Sequence, residues 1–420
     1  MQPLVPQLVL RAKQLEIDAI EQLGQRAELA DVIGQLIHAL QRERGASSIY
    51  LASQGQRFAA VRQQAIDDMR PIEAQLHALF GVHLAPEQGA TARMLSLMAW
   101  VQVGLNALDD LRQRIKQQAL SAHDSVAAYS RLIAGLVELI GQVADAALHP
   151  GISRLLVAFL HVVQGMEAAG QERAVGALLF ASGQCIDAEQ QRVIHLIDAQ
   201  ERSLQVFEEF AEPELRERWA SQQSSNSVAT LERLRRTLCA ARPGAVLDTA
   251  LSDAWFEVSS ERITALWRVQ VASVQRVRLA CQAQVQAARQ DLQDSEGLLR
   301  QLRDNPPPQT HAVDRFFDGA PTGLAPRQAP AAPASSLMEL LQHQASRLAS
   351  MEAELEAAKR TLHERKVIER AKGVLMSRMG MTEEAAFRAL QKTSMDQNRR
   401  LLDVAEATLS LPDFAFGPRA

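Results

Sequence analysis

The chain has 420 residues, 45 Lys/Arg against 49 Asp/Glu for a net charge of −4, and 47% hydrophobic but only 4% aromatic content. Leu, Ala, Gln, Glu and Arg dominate, which predicts an all-α protein of two or three domains. Three scattered cysteines (Cys185, Cys239, Cys281) and the lack of any HExxH, GxSxG or Walker-type sequence argue against disulfides, a metal, a cofactor and an enzyme.

The N-terminus, MQPLVPQLVLRAK, has neither a basic n-region nor a small-residue cleavage site, and no uninterrupted apolar run approaches a bilayer span. The expectation is a cytoplasmic chain without a membrane partner. Leu15 to Ala52 is amphipathic, with Ile33, Leu36, Ile37 and Leu40 on one stripe that leads into QRERGASS at residues 41–48. After Gly55 a second helix is expected from Arg57 to Leu79, then a loop from Gly81 to Gly89. Further helices are expected over Thr91–Ala119, Ser125–Ala147, Ile152–Ala181, Asp187–Phe210, Ser227–Ala241 and Asp253–Arg303, with Pro150-Gly151, Pro213 and Pro243-Gly244 between them. These are too many for one four-helix bundle, so two bundles, stacked or sharing a long helix, are expected.

One element recurs. Glu43-Arg44-Gly45-Ala46-Ser47-Ser48 and the apolar residues after it lie over Glu172-Arg173-Ala174-Val175-Gly176-Ala177, 129 positions later, and both end in Ala-Ser. Each half therefore presents a Glu-Arg pair within an apolar helix, flanked by small residues that admit a neighbouring helix, so the arginine should be at least partly buried. Two readings remain open on these residues: structural ion pairs that close the bundles, or guanidinium groups held for an anion. Arg262, in Ser260-Glu261-Arg262-Ile263, reads as a solvated helical charge, and His38, His161 and His195 as core or boundary residues.

Residues 304–335 form a Pro/Ala-rich linker, with Phe316-Phe317 as its apolar spot. Beyond it Leu337, Leu341, Leu348, Met351, Leu355, Ala358 and Leu362 recur at spacings of 4 and 3, with Gln344 in the open seam position, so residues 336–364 read as a coiled coil. It runs without a break into residues 365–411. Between Arg360 and Arg400 stand ten Lys/Arg and five Asp/Glu, a local +5 in a chain of −4, which leaves about −9 elsewhere. Ile368, Ala371, Leu375 and Met379 give one helical face; Gly380 should end that helix and Thr382 cap the next, which carries Ala386, Phe387, Leu390 and Met395. Leu401, Leu402, Ala405 and Leu409 line a third helix. Arg365, Lys372, Arg378, Arg388, Lys392, Arg399 and Arg400 are left to face outward, where a basic surface would meet nucleic acid.

Two resemblances attach to these residues. RKVIERAKGVLM, Gly380-Met381-Thr382-Glu383-Glu384-Ala385-Ala386-Phe387, Leu390 and Met395 resemble the ANTAR domain, a three-helix RNA-binding module of antiterminators. RERGASSIYLAS, QERAVGALLFASG and the later LERLRR are similar to the NIT domain, an all-helical nitrate- and nitrite-sensing module, so residues 1–303 would be the sensor. NIT followed by ANTAR is the layout of nitrate-responsive transcription antiterminators. The resemblance implies nitrate contacts at Arg44, Arg173 and Arg235, with adjacent Arg236 the alternative for the last. It also implies that nitrate or nitrite is the effector and leader-mRNA hairpins the target, with RNA polymerase affected indirectly through a terminator that fails to form. The coiled-coil seam could pair two chains, as a homodimer, or pack within one. The other classes are a constitutive RNA-binding protein and a coiled-coil signalling protein whose helical domain only dimerises.

The chemistry suits nitrate, a flat, weakly hydrated anion with three acceptor oxygens in a plane. Guanidinium is flat, permanently charged and forked. Two such cations about 6 Å apart at an effective dielectric near 20 repel by about 2–3 kcal/mol, which an anion between them would relieve.

Overall fold

In the computed structural model the described residues are 4–86, 89–145, 149–304, 337–379, 381, 383–397 and 399–410. They are helical throughout, apart from turns and one isolated antiparallel bridge, Gln184–Val246. The chain divides into two compact units, one within Met1–Pro308 and one within Gln309–Ala420.

The first unit holds α1 (Leu4–Ala52), α2 (Ala59–His83), α3 (Ala92–Asn106), α4 (Leu108–Lys116), α5 (Ala122–Asp145), α6 (Pro150–Ser182), α7 (Asp187–Phe210), α8 (Pro213–Gln223), α9 (Asn226–Ala240) and α10 (Leu251–Asp304). Two groups of helices result. α1 packs on α2 and α5, with α3 on α5; α6 packs on α7 and α10, with α8 and α9 on α10. The groups meet where α1 lies on α10 and α6, and α5 on α6. α1 begins earlier than expected, at Leu4, since Val9, Ile17 and Ile20 are buried and the last two pack on Ala288 of α10. The helix expected over Thr91–Ala119 breaks at Ala107 into α3 and α4. Pro213, expected only as punctuation, is the first residue of α8, where its missing N–H is no loss.

α1 and α6 contribute the largest shares of the core. In α6, Leu156, Phe159, Val162, Val163, Met166, Leu179 and Phe180 are essentially inaccessible, and neighbours meet it on several faces. By length and composition α5 and α6 are apolar enough to cross a bilayer, which qualifies the expectation from apolar runs. The apolar window of α6 is 78% buried within the protein, and the helix buries Glu167, Glu172 and Arg173 with protein partners. That is a core helix.

The second unit holds α11 (Leu337–Met379), α12 (Glu383–Asp396) and α13 (Leu401–Ser410). The expected coiled-coil segment and the first helix of the basic module form one helix, α11. Leu355 of the heptad seam is buried and Met351 half-buried; the side chains at Leu337, Leu341, Gln344, Leu348, Ala358 and Leu362 lie outside the described residues, as do the linker from 305 onward, Gly380 and Thr382. Val367, Ala371, Leu375, Ala386, Leu390, Val404 and Ala405 close a three-helix core. Met379 and Met395, expected inside, are 49% and 81% exposed. The stripe runs Val367–Ala371–Leu375, and at roughly 100° per residue Met379 stands about 120° around the helix from Val367.

Candidate anion site and nucleic-acid interface

The two Glu-Arg elements lie on α1 and α6, and the structure gives the two members of each pair different partners. Glu43 turns into its own helical group: Arg112 of α4 donates to both carboxylate oxygens at 2.8 and 2.9 Å, and the Tyr129 hydroxyl of α5 donates at 2.8 Å. Glu172 does the same in the other group, accepting from Arg235 of α9 at 2.7 and 2.6 Å and from Gln200 of α7. Burial opposes the charge of Arg112 and of Arg235, yet the hydrogen bonds and charge of their glutamates prevail and raise both pKa values. Burial and the Glu43 charge raise the Tyr129 pKa, so it stays a donor.

The two arginines instead reach across. Arg44, 1% exposed, makes a bidentate pair with Glu167 of α6 at 2.5 and 3.1 Å and donates to Ser130 at 2.8 Å. Arg173, 8% exposed, donates to the Gln41 carbonyl of α1 at 3.3 Å and to Ser260 of α10 at 3.0 Å, and lies 4.9 Å over the Phe256 ring. Among the described residues no carboxylate forms an ion pair with it. Burial, and then the charge of Arg44, lower its pKa to about 10; Glu167 opposes only partly. Arg44, Arg173 and Glu167 therefore form a buried group with one positive charge in excess. Arg173 also lines a cavity of about 320 Å³ between α1, α6 and the first turns of α10, together with Gly45, Ser48, Ala177, Phe58 and Phe256.

Sequence reasoning placed Arg44, Arg173 and either Arg235 or Arg236 around one ligand. The structure brings Arg44 and Arg173 together and puts Arg235, locked to Glu172 and Glu232, in a neighbouring cluster. Arg236 is exposed, because it follows the inward Leu234–Arg235 face of α9. Arg262 is not the solvated charge expected: its guanidinium lies 4.7 Å over Trp219, it donates to Gln223 at 2.8 Å, and burial, followed by Arg235, lowers its pKa to about 10. Glu167, Arg112, Tyr129, Gln200 and Ser260 were missed. Their partners are 28 to 123 residues away in sequence, so no local spacing marks them.

In the second unit Arg388 and Lys392 on α12 and Arg399 and Arg400 before α13 are exposed, and Arg378 is half-buried. The Arg365 side chain lies outside the described residues. Lys372, expected to face outward, is 8% exposed; its stem covers the core beside Ala371 and its ammonium lies 5.6 Å over the Phe387 ring.

Residues 35–278 match the NIT family model, described as nitrate and nitrite sensing, and residues 356–409 match the ANTAR domain. The chain is 31% identical over 402 residues to the nitrate regulatory protein of Klebsiella oxytoca, covering 96% of this chain and 93% of that one. It is also 39% identical over 62 residues to the transcriptional regulatory protein PdtaR of Mycobacterium tuberculosis, 15% of this chain and 30% of that protein. The solved structure of the NasR transcription antiterminator superposes with a TM-score of 0.61 at 30% identity, covering 97% of this chain and 99% of that one.

Proposed function

The chain belongs to the family of nitrate-responsive antitermination regulators in which a NIT sensor precedes an ANTAR domain, and from that premise we propose where its effector sits and what its output surface touches. Nitrate or nitrite occupies the space beside Arg173, between α1, α6 and the start of α10, with Arg44 supplying the second positive charge. The observation that carries this reading is the buried Arg173 guanidinium, which lines a cavity and, among the described residues, forms no ion pair with a carboxylate. An ionised group in that setting is costly unless a counter-charge arrives, and a planar monoanion supplies one together with acceptors for the forked donors. Arg235 would join only by loosening its hold on Glu172, so it acts as a partner that can be exchanged.

Such a site switches because the ligand binds the two arrangements unequally. Without anion, Arg44 and Arg173 repel across the α1–α6 contact. With it, they are drawn together. On the output side we propose that Arg388, Lys392, Arg399 and Arg400 meet the phosphates of paired leader-RNA hairpins, that the protein acts as a cytoplasmic homodimer without catalysis, and that RNA polymerase responds indirectly when the terminator fails to form.

The test is readthrough of a leader terminator by purified full-length protein, with nitrate binding followed by calorimetry in parallel. Nitrate should raise readthrough in the wild type, Arg173→Gln should abolish both responses, and chloride at equal ionic strength should do neither. Equal effects of all anions would leave screening as the explanation and end the reading.

A further inference from the structure

The lining of the cavity beside Arg173 includes Arg57, Phe58, Asp253 and Phe256. At the end of α1 the chain turns through Ser53–Phe58, with Gln54, Gly55 and Phe58 at φ of +52°, +82° and +66°. Glycine takes such a conformation freely; a phenylalanine does so only when its surroundings hold it there. Two contacts hold it. The Phe58 ring meets Phe256 edge to face, centroids 6.0 Å apart at 85°, and Arg57 pairs with Asp253 in the first turn of α10 at 3.5 Å. Phe256 is the ring on which Arg173 lies, so the strained loop rests on the same side chain as the buried cation. Arg57 and Asp253 are 60% and 84% exposed on their side chains, so the ion pair is a weak, easily opened clasp.

We infer that Arg57 and Phe58 form a selectivity gate over the Arg173 cavity, admitting planar, weakly hydrated monoanions and excluding strongly hydrated ones. The inference rests on the anion reading of that cavity. Arg57 can leave Asp253 to meet an incoming anion, and the anion then has to pass between two aromatic rings, which offer nothing in place of its water. Nitrate or nitrite sheds water at small cost; sulfate and phosphate do not. Asp253 beside the entry penalises a second negative charge more than a single one. The αL backbone at Phe58 stores a preference for release, so the loop lifts when the ring contact is lost.

Full-length protein with Phe58→Gly is the test, because glycine accepts φ +66° and the turn should keep its backbone although the ring contact with Phe256 is lost; circular dichroism checks that the variant is folded. Stopped-flow association and dissociation of nitrate should both accelerate at least fivefold with the Kd within twofold, and the rate of sulfate entry should rise at least fivefold more than that of nitrate. Phe58→Leu should change each in the same direction by less. Arg57→Gln should slow association about threefold at low salt, leave dissociation unchanged and lose its effect at high salt. Unchanged rates of nitrate and sulfate entry in Phe58→Gly overturn the gate. If Arg173→Gln still binds nitrate as the wild type does, the site itself is misassigned; if it loses nitrate while Phe58→Gly behaves as wild type, only the gate fails.

Discussion

Arg44 and Arg173 each occupy the space left by a glycine beside the other. A Cβ at Gly170, three residues before Arg173, would lie 2.6 Å from Arg44 Nη2, and one at Gly45, next to Arg44, would lie 2.7 Å from Arg173 Nη2. The exchange is mutual, although the two glycines are not equivalent in the repeat: Gly45 follows its arginine directly, and Gly170 precedes the other by three residues. The surroundings of the two arginines are unequal: Arg44 is paired with Glu167, while Arg173 has, among the described residues, a carbonyl, a hydroxyl and a ring. One half of the repeat has its cation paired with a carboxylate; in the other the cation bonds only neutral groups, and the proposed anion would supply the missing charge.

The glycine contacts predict a separation of stability from binding. Gly45→Ala displaces only the far end of a flexible arginine, so thermal stability should change by less than about 1 kcal/mol while nitrate affinity falls at least tenfold. Gly176→Ala instead drives a Cβ to 2.2 Å from the buried Trp255 ring, which cannot swing away. That variant should lose about 1–3 kcal/mol whether or not nitrate is present. Chemical denaturation beside calorimetric titration distinguishes the two.

Removing each arginine should have opposite consequences for the ligand-free fold. Arg44→Ala strands the buried Glu167, and Arg235→Ala strands Glu172, so each should cost about 3–5 kcal/mol. Arg173→Gln removes a buried cation without a carboxylate partner and should leave the ligand-free protein as stable as wild type or more so, while abolishing stabilisation by nitrate. A large loss of stability in Arg173→Gln would mean that its charge is compensated within the fold.

What the sequence disclosed follows from what is local. The Glu-Arg elements were legible because Gly45, Ala46 and Ser47 on one helix and Ala174 and Gly176 on the other announce a close helix contact within a few positions. The division of labour inside each pair was not, since Glu43 is answered by Arg112 and Tyr129, and Arg44 by Glu167, from distant helices. Arg262 was misread because Glu261-Arg262 on an amphipathic helix resembles any solvated pair; its cover is Trp219 on α8, a helix hidden behind Pro213. In the basic module the three-helix core was readable from spacing, but Lys372 was placed outward by its charge, although it is buried with its ammonium over the Phe387 ring.

The exposed and the covered cations of that module should therefore behave differently. Arg399→Ala and Arg400→Ala should each weaken hairpin-RNA binding across sequences and reduce the magnitude of the salt slope by about 1, as loss of one phosphate contact does. Lys372→Met keeps the stem that covers the core, so folding by circular dichroism should be retained and the salt slope should change by much less. A slope change as large as that of Arg400→Ala would place the Lys372 ammonium on the RNA.

His38 supplies a titration that reports on the anion site. It stacks on Trp267 at 4.3 Å, its Nδ1 has no hydrogen-bond partner among the described residues, and burial, then Arg42 and Arg173, lower its pKa from 6.5 to about 4. A lowered base favours the unfolded state in acid: between pH 6.5 and about 4 the unfolded chain binds a proton that the folded chain refuses, so stability falls as pH falls through that window and is unaffected above it. The contribution should reach about 2–3 kcal/mol near pH 4. Carboxylates titrate in the same range, but they cancel when His38→Phe, which keeps the stacked ring, is compared with wild type. Denaturant midpoints of the two proteins should run parallel above pH 7 and diverge below it, with the variant the more resistant. Saturating nitrate should shrink that divergence, because an anion on Arg173 removes one of the charges that hold the His38 pKa down. A divergence that is the same with and without nitrate would separate the His38 titration from the anion site.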